Sequence, residues 1–227
     1  MINCKSNKDS DNIVERFEEF LSDKNFPCVA AKAALKRKHI KFFVADHMAC
    51  PKDDHSILQF LYNFVEEYRI NKDESQFYSA VVIFKNPADI SEKEFDALLW
   101  QRLQSFSDID LENYSYDNRV SSNPSSENFS FSLMGEAFFV IGLNPGSSRF
   151  ARSFKYPALV FNPHQQFEEL RKNNQYEKLK NIVRKRDVNF SGSVNPTLAN
   201  FGESSEVHQY SGMQHNAEWK CPLQINR

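Results

Sequence analysis

Two apolar segments separated by a single glycine constrain the fold of this chain most strongly. Residues 128–146 read NFSFSLMGEAFFVIGLNPG, in which aromatic and aliphatic residues lie on both sides of Gly135. Runs of this kind have the composition of β-strands, and a glycine between two of them is typical of a tight turn. The segment therefore predicts two strands joined by a turn at Gly135.

Three more runs rich in β-branched and aromatic residues have strand length, and segments with helical spacing lie between them. The runs are HIKFFVAD at 39–46, FYSAVVIF at 77–84 and PALVFNP at 157–163. One of the helices is marked by Ser91 and Glu94, which are in the register of a capping box. Because helices and strands do not alternate as in a parallel βαβ protein, we expect an α+β fold with a mainly antiparallel sheet flanked by helices.

The length of 227 residues fits one large domain, so we expect residues 1–227 to form a single unit. Residues 1–10 are expected to be flexible. The stretch 113–128 is rich in Ser, Asn and Asp and predicts a long surface loop rather than a linker between domains.

Charge and cysteine usage narrow the classes of function. The net charge of −2 does not favour a nucleic-acid binder, which usually carries a basic excess. No apolar run approaches the length of a membrane span, and residues 1–17 lack the apolar segment of a signal peptide. We therefore expect a cytoplasmic protein without a membrane partner. Its four widely spaced cysteines form no CxxC pair and are expected to be free thiols.

One of these cysteines occupies a special position. Cys28 follows Pro27 at the start of an alanine-rich helix, VAAKAALK, and the N-terminus of a helix favours negative charge. A thiol placed there tends to ionise, which would make it a nucleophile, a redox centre or a metal ligand. The alternative is an ordinary buried sulfur.

A polar loop follows the second strand of the hairpin. In GLNPGSSRFARSF, the backbone N–H groups, Ser147, Ser148, Arg149 and Arg152 could together hold a carboxylate or a phosphate. The segment lacks the lysine and the glycine spacing of a P-loop. A plain polar turn with two exposed arginines is the alternative interpretation.

His164 is the histidine whose position is most suggestive of a role in a cleft. It lies in FNPHQQFEEL, between the end of a predicted strand and the start of a helix. His208 and Tyr210, in EVHQYSG, form a weaker candidate pair. The chain contains no nucleophile elbow, no HExxH and no dinucleotide fingerprint, so nothing in it supports a serine hydrolase.

Several long strings of residues resemble a known family. FPCVAAKAALKR, GEAFFVIGLNPGSSRFARSFKYPALVFNPHQQFEELR, RDVNFSGSVNPTLANFGE and the closing WKCP resemble the YqcI/YcgG family, in the same order and over nearly the whole chain. Within it, the similarity is greatest to the branch containing the haem-dependent pre-guanitoxin N-hydroxylase. The members with a known activity are haem-dependent N-oxygenases that act on a guanidino nitrogen or on the amino group of an aminoimidazole.

The resemblance implies a b-type haem and O2 as co-substrate. Haem needs a flat apolar slot, an axial ligand and cations for its propionates. The 21 phenylalanines could supply the slot, while Ser148, Arg149 and Arg152 could bind the cofactor. Cys28, as a thiolate, and His164 are the two candidates for the axial ligand of the iron, and Cys28 is preferred. His164 could instead be a distal group that handles protons.

One residue departs from the pattern of that branch. Asn144, in GLNP, stands where the branch more often has His, so a catalytic or ligating group could be altered here. The resemblance implies a monooxygenase that hydroxylates a nitrogen of a small cationic substrate, with electrons from a separate reductase. The alternatives are a non-catalytic haem-binding sensor or carrier, and a cofactor-free interaction protein.

Overall fold

The structure is a computed structural model that describes residues 3–72, 77–193, 201–216 and 218–226, with side chains from residue 8 onward. The described residues form seven α-helices and one five-stranded sheet. In chain order these are α1 Asn3–Ser22, α2 Val29–Lys36, β1 Ile40–His47, α3 Asp54–Asn71, β2 Ser79–Asn86, α4 Glu92–Leu111, β3 Phe131–Leu133, β4 Glu136–Leu143, β5 Ala158–Pro163, α5 His164–Lys172, α6 Tyr176–Ser191 and α7 Val207–Tyr210. Two short 3₁₀ turns, Pro51–Asp53 and Phe150–Arg152, complete the set.

The sheet has the strand order β1-β2-β5-β4-β3. Only the β1–β2 pair is parallel, and the other three pairs are antiparallel. The predicted α+β class with a mainly antiparallel sheet is therefore confirmed. The predicted turn of the hairpin is also confirmed. Met134 and Gly135 connect β3 to β4 with φ angles of 52° and 66°, and positive φ at both central residues is the mark of the hairpin turn that glycine favours.

Helices cover both faces of the sheet, which explains why β2 is an uninterrupted apolar run. Ala80, Val82 and Phe84 point into the larger core with α3 and α4, whereas Val81 and Ile83 point into a second core with α1 and α2. The fit of α4 is close, since a Cβ added at Gly142 of β4 would lie 2.6 Å from the ring of Phe95. A strand buried on both faces has no polar side to display.

Local signals set the ends of the helices. The capping box at Ser91 and Glu94 is present at the start of α4, as predicted.

Helix α1 begins at Asn3 and so runs through part of the segment 1–10; the expected flexibility of that segment stays a prediction. The stretch 113–128 contains neither helix nor strand, although Tyr116 and Asp117 within it are buried. No helix among the described residues is long and apolar enough to cross a membrane.

A buried ion pair joins α3 to α4. Arg102 Nη1 donates hydrogen bonds to Asp54 Oδ1 and Oδ2 at 2.8 and 2.9 Å, and Ser105 Oγ also bonds this carboxylate. The side chains of Asp54 and Arg102 are only 2% and 7% exposed. Each charge therefore depends on the other, because water reaches neither of them.

We expect Asp54→Ala to lower the free energy of unfolding by about 3–5 kcal/mol, because it leaves the Arg102 guanidinium buried without its counter-charge. Urea denaturation measures this loss, and adding Arg102→Met should recover most of it. The control is Glu67→Ala, which removes the exposed pair with Lys41 and should change stability by less than about 1 kcal/mol. Equal losses in the two single variants would contradict the assigned role of the buried pair.

Candidate functional site

A small pocket lies at the end of β5, where the chain turns directly into α5. His164 is the first residue of α5 and is 5% exposed. The pocket has a volume of about 100 Å³ and is lined by Phe139, His164, Phe167, Arg171, Tyr176, Phe201, Glu206 and Gln209. Clefts for drug-sized ligands measure roughly 300–1,000 Å³, so this pocket suits only a small head group.

His164 lies between two carboxyl groups. Its Nε2 is 3.4 Å from Glu168 Oε1, and its Nδ1 is 3.6 Å from Glu206 Oε1. Burial lowers the pKa of His164, but the two neighbouring carboxylates outweigh burial and raise the pKa to about 9. At neutral pH the ring is therefore an imidazolium whose two nitrogens face Glu168 and Glu206.

The pocket already holds a guanidinium from the chain itself. Arg171 forms an ion pair with Glu168, and its guanidinium carbon lies 4.2 Å from the ring centroid of Tyr176 and 5.9 Å from that of Phe201. A planar cation over an aromatic face next to a carboxylate is stabilised by both groups. The pocket therefore contains a delocalised cation of the same chain, held by a carboxylate and an aromatic face.

A second, larger cavity lies beside the first. Its volume is about 620 Å³, and it is lined by Pro124, Ser125, Ser126, Glu127, Glu203, Ser204, Ser205, Val207, His208, Trp219, Lys220 and Cys221. Burial and the nearby His215 lower the pKa of His208, so its imidazole is neutral at pH 7. Burial raises the pKa of the Cys221 thiol to about 12. This cavity therefore contains an imidazole with a free lone pair and a thiol that keeps its proton at neutral pH.

The two cavities share one wall. Glu206 and Gln209 face the small pocket, whereas Ser205, Val207 and His208 face the large cavity. All five residues belong to α7 and the two residues before it. A molecule bound in one cavity is therefore separated from the other cavity by a single short helix.

Cys28 lies away from both cavities. It is the N-cap of α2, and its sulfur accepts a hydrogen bond from the Ala31 N–H at 3.4 Å. Burial raises the pKa of its thiol, although the Ala31 and Ala30 N–H groups act in the opposite direction. Cys28, Cys50 and Cys221 are free, as predicted, and the side chain of Cys4 lies outside the described residues.

The predicted anion-binding loop is occupied by carboxylates of the same chain. Glu92 Oε1 accepts hydrogen bonds from the Ser148 N–H and Oγ, both at 3.2 Å. Arg149 Nη2 donates to Asp187 Oδ2 at 2.7 Å. These two carboxylates join the loop to α4 and α6, and binding of an external anion by the loop stays a prediction.

Arg152 and Asn144 are buried near the same loop. The Arg152 guanidinium donates to the carbonyl oxygens of Tyr210 at 3.0 Å and Gln209 at 2.7 Å, and burial lowers its pKa to about 10. Asn144 is 0% exposed, and neither atom of its side-chain amide has a hydrogen-bond partner among the described residues. Neither residue lines one of the two cavities.

Of the predicted site residues, the structure thus places His164 at the small pocket and His208 at the large cavity, whereas neither cavity is lined by Cys28, Asn144, Ser148, Arg149 or Arg152. The sequence reasoning missed Glu168, Glu206, Arg171 and Tyr176. Glu168 could have been found, because it is four residues after His164 on the same helical face. The segment around Glu206 has no periodic pattern that would place it beside His164. No group of three or more His, Cys, Asp or Glu side chains suited to a metal ion occurs in the described part of the chain.

Comparison with known proteins now supports the resemblance. The model of the YqcI/YcgG family matches residues 17–224. The chain belongs to the YqcI/YcgG family. Two relatives from Bacillus subtilis (strain 168) are YcgG, 23% identical over 202 residues that span 86% of this chain and 74% of the relative, and YqcI, 26% identical over 212 residues that span 89% and 77%. Neither name states an activity, and no solved structure matches the chain.

The elevated pKa of His164 should give the folded protein a distinct dependence on pH. The folded ring keeps its proton up to about pH 9, whereas the unfolded ring loses it near 6.5. The stabilisation is therefore complete below pH 6.5 and is lost as the pH rises through 9. In that interval we expect the free energy of unfolding to fall by up to about 1.4 kcal/mol per pH unit.

Urea denaturation between pH 6 and pH 10 measures this dependence. His164→Gln should lack that part of the slope, and a variant of the exposed His55, His55→Gln, should retain it. Identical slopes in the wild type and in His164→Gln would show that the two carboxylates do not hold the proton.

Proposed function

We propose that the protein is a haem-dependent monooxygenase that hydroxylates a guanidino or amino nitrogen of a small cationic molecule. The observation that carries the substrate side of this proposal is the guanidinium of Arg171, held by Glu168 and the face of Tyr176. The oxidative chemistry rests on the resemblance to the haem-dependent branch of the family. The two cavities to which these arguments refer lie on either side of α7.

The lining of the larger cavity is mostly Ser, Glu and Pro, and it also contains three side chains of the kinds that hold haem. Haem requires a ligand with a free lone pair, an apolar wall and cations for its propionates. His208 is a neutral imidazole, Trp219 supplies an aromatic wall, and Lys220 is a cation at the same cavity. We therefore assign His208 as the iron ligand and Lys220 as a propionate partner. When bound, the haem would supply the activation of O2.

The residues of the small pocket would bind and orient the substrate. A cationic head group that displaces Arg171 would meet Glu168 and Glu206 and lie against the rings of Tyr176 and Phe201. Phe139 and Phe167 add apolar surface to the pocket wall. His164 holds a proton at neutral pH and can transfer it to a group in the pocket. A separate reductase would supply the electrons.

Titration of the purified protein with haemin, followed by visible spectroscopy, tests the cofactor assignment. We expect a stoichiometric complex in the wild type, its loss in His208→Ala, and its retention in Cys28→Ala and His164→Ala. After reduction under carbon monoxide, the strongly red-shifted band of a thiolate ligand should be absent. Loss of the complex in Cys28→Ala alone would instead restore cysteine ligation.

The same titration separates the two rival functions. A non-catalytic haem sensor or carrier would form a closed six-coordinate complex and show no oxygen consumption with any cationic substrate. A cofactor-free interaction protein would show no saturable binding of haemin. Either result would overturn the proposed activity.

Binding of methylguanidinium, measured by calorimetry, tests the substrate pocket independently of haem. We expect Arg171→Ala to bind this cation several-fold more tightly than the wild type does, because the competing guanidinium is removed and Glu168 keeps only His164 as a partner. The exposed neighbour Lys172 provides the control, and Lys172→Ala should leave the affinity unchanged. Weaker or equal binding in Arg171→Ala would refute the proposed cation site.

A further inference from the structure

A series of aromatic side chains runs through the core from one cavity to the other. Trp219 lines the large cavity, and its ring centroid lies 5.7 Å from that of Trp100. Trp100 in turn lies 6.1 Å from Tyr210, with the two ring planes only 22° apart. Tyr210 is 0% exposed. The three rings are therefore consecutive neighbours that lead from the large cavity into the core.

Trp100 and Tyr210 each have a carboxyl group next to the polar hydrogen of the ring. Trp100 Nε1 donates a hydrogen bond to Asp96 Oδ1 at 3.2 Å. The Tyr210 hydroxyl lies 3.2 Å from Glu206 Oε2 and also 3.3 Å from the Phe138 carbonyl oxygen. Tryptophan and tyrosine are among the side chains that lose one electron most easily, and the loss makes the ring N–H or O–H far more acidic. A nearby base makes such an oxidation far easier.

The path ends at the small pocket. Glu206 uses Oε2 for Tyr210 and Oε1 to face His164 Nδ1 at 3.6 Å. Tyr210 is thus separated from the group that carries a proton in that pocket by one carboxylate. At the other end, His215 stacks on Trp219 at 3.8 Å and lies 3.2 Å from Asp96 through its Nε2.

Packing alone does not account for this arrangement. Phenylalanine at position 210 would fill a similar volume and would need no acceptor. Asp96 and Glu206 are 8% and 4% exposed, and burying a carboxylate is unfavourable unless it is paired and hydrogen-bonded. Buried Trp and Tyr need only one partner each, which a backbone carbonyl supplies as well as a carboxylate does.

We propose that Trp219, Trp100 and Tyr210 form a path for single electrons between the two cavities, with Tyr210 as the residue that is finally oxidised. A one-electron oxidant of high potential at the large cavity removes an electron from Trp219. Trp100 then gives an electron to the oxidised Trp219, and Tyr210 in turn gives an electron to the oxidised Trp100. The Tyr210 O–H bond breaks, its electron goes to the oxidised Trp100 and its proton goes to Glu206. The products are a neutral tyrosyl radical, a protonated Glu206 and the reduced oxidant.

This inference goes beyond the proposed function and does not depend on haem, so an external oxidant can test it on the full chain as purified. Ruthenium(III) tris(bipyridine), generated by a light flash with a cobalt(III) quencher, serves as the oxidant, and electron paramagnetic resonance of freeze-quenched samples detects the radical. We expect a long-lived tyrosyl signal that Tyr210→Phe abolishes. Tyr156→Phe is the control, because Tyr156 packs in the second core on the opposite face of the sheet, and it should leave that signal unchanged.

The two tryptophans and the proton acceptor are tested separately. Trp219→Phe and Trp100→Phe keep an aromatic ring in place and should each lower the long-lived tyrosyl signal several-fold. Glu206→Gln should slow radical formation, and the slowing should exceed that caused by deuterated water in the wild type. A signal of wild-type size in both tryptophan variants would overturn the path, even if Tyr210→Phe failed to fold.

Discussion

The site depends on the interactions of one buried carboxyl group, that of Glu206. It accepts a hydrogen bond from Ser130 Oγ at 2.9 Å, contacts the Tyr210 hydroxyl, and faces the imidazole of His164. Leaving one partner of a buried ion pair uncompensated costs about 3–5 kcal/mol, so this contact strongly favours one position for the segment that carries it. Glu206 thereby holds α7 against the sheet, where α7 forms the wall between the two cavities.

Arg152 fixes the other end of the same helix. The last carbonyl groups of a helix have no partner within the helix, and those of Gln209 and Tyr210 accept hydrogen bonds from the Arg152 guanidinium. Burial lowers the pKa of Arg152 to about 10, which still leaves it charged at neutral pH. A carboxyl group at the start of α7 and a guanidinium at its end therefore clamp it. An arginine that looked suited to an external anion serves the backbone of its own chain.

The strands, most helices and the hairpin turn were predictable because each follows from residues close in sequence. Gly135 permits positive φ, Ser91 and Glu94 cap the same helix, and the apolar run of β2 matches burial on both faces. The site was predictable only in part. His164 was found from its place between a strand and a helix, whereas its partner Glu206 comes from a distant segment without periodicity. The loop at Ser148 and Arg149 was recognised as anion-binding, but no local pattern could reveal that Glu92 and Asp187 are the anions.

The position of Cys28 shows why a local rule can have the wrong sign in a folded protein. The N–H groups at the start of α2 favour the thiolate, yet burial favours the neutral thiol more strongly, and the net effect raises its pKa. The same physics acts on His208, where burial again favours the neutral form. For a metal the two outcomes are opposite, because a neutral thiol must first lose its proton, whereas a neutral imidazole already offers its lone pair. Partial burial therefore makes the cysteine at the helix start harder to deprotonate, whereas the imidazole of His208 needs no deprotonation before it can bind a metal.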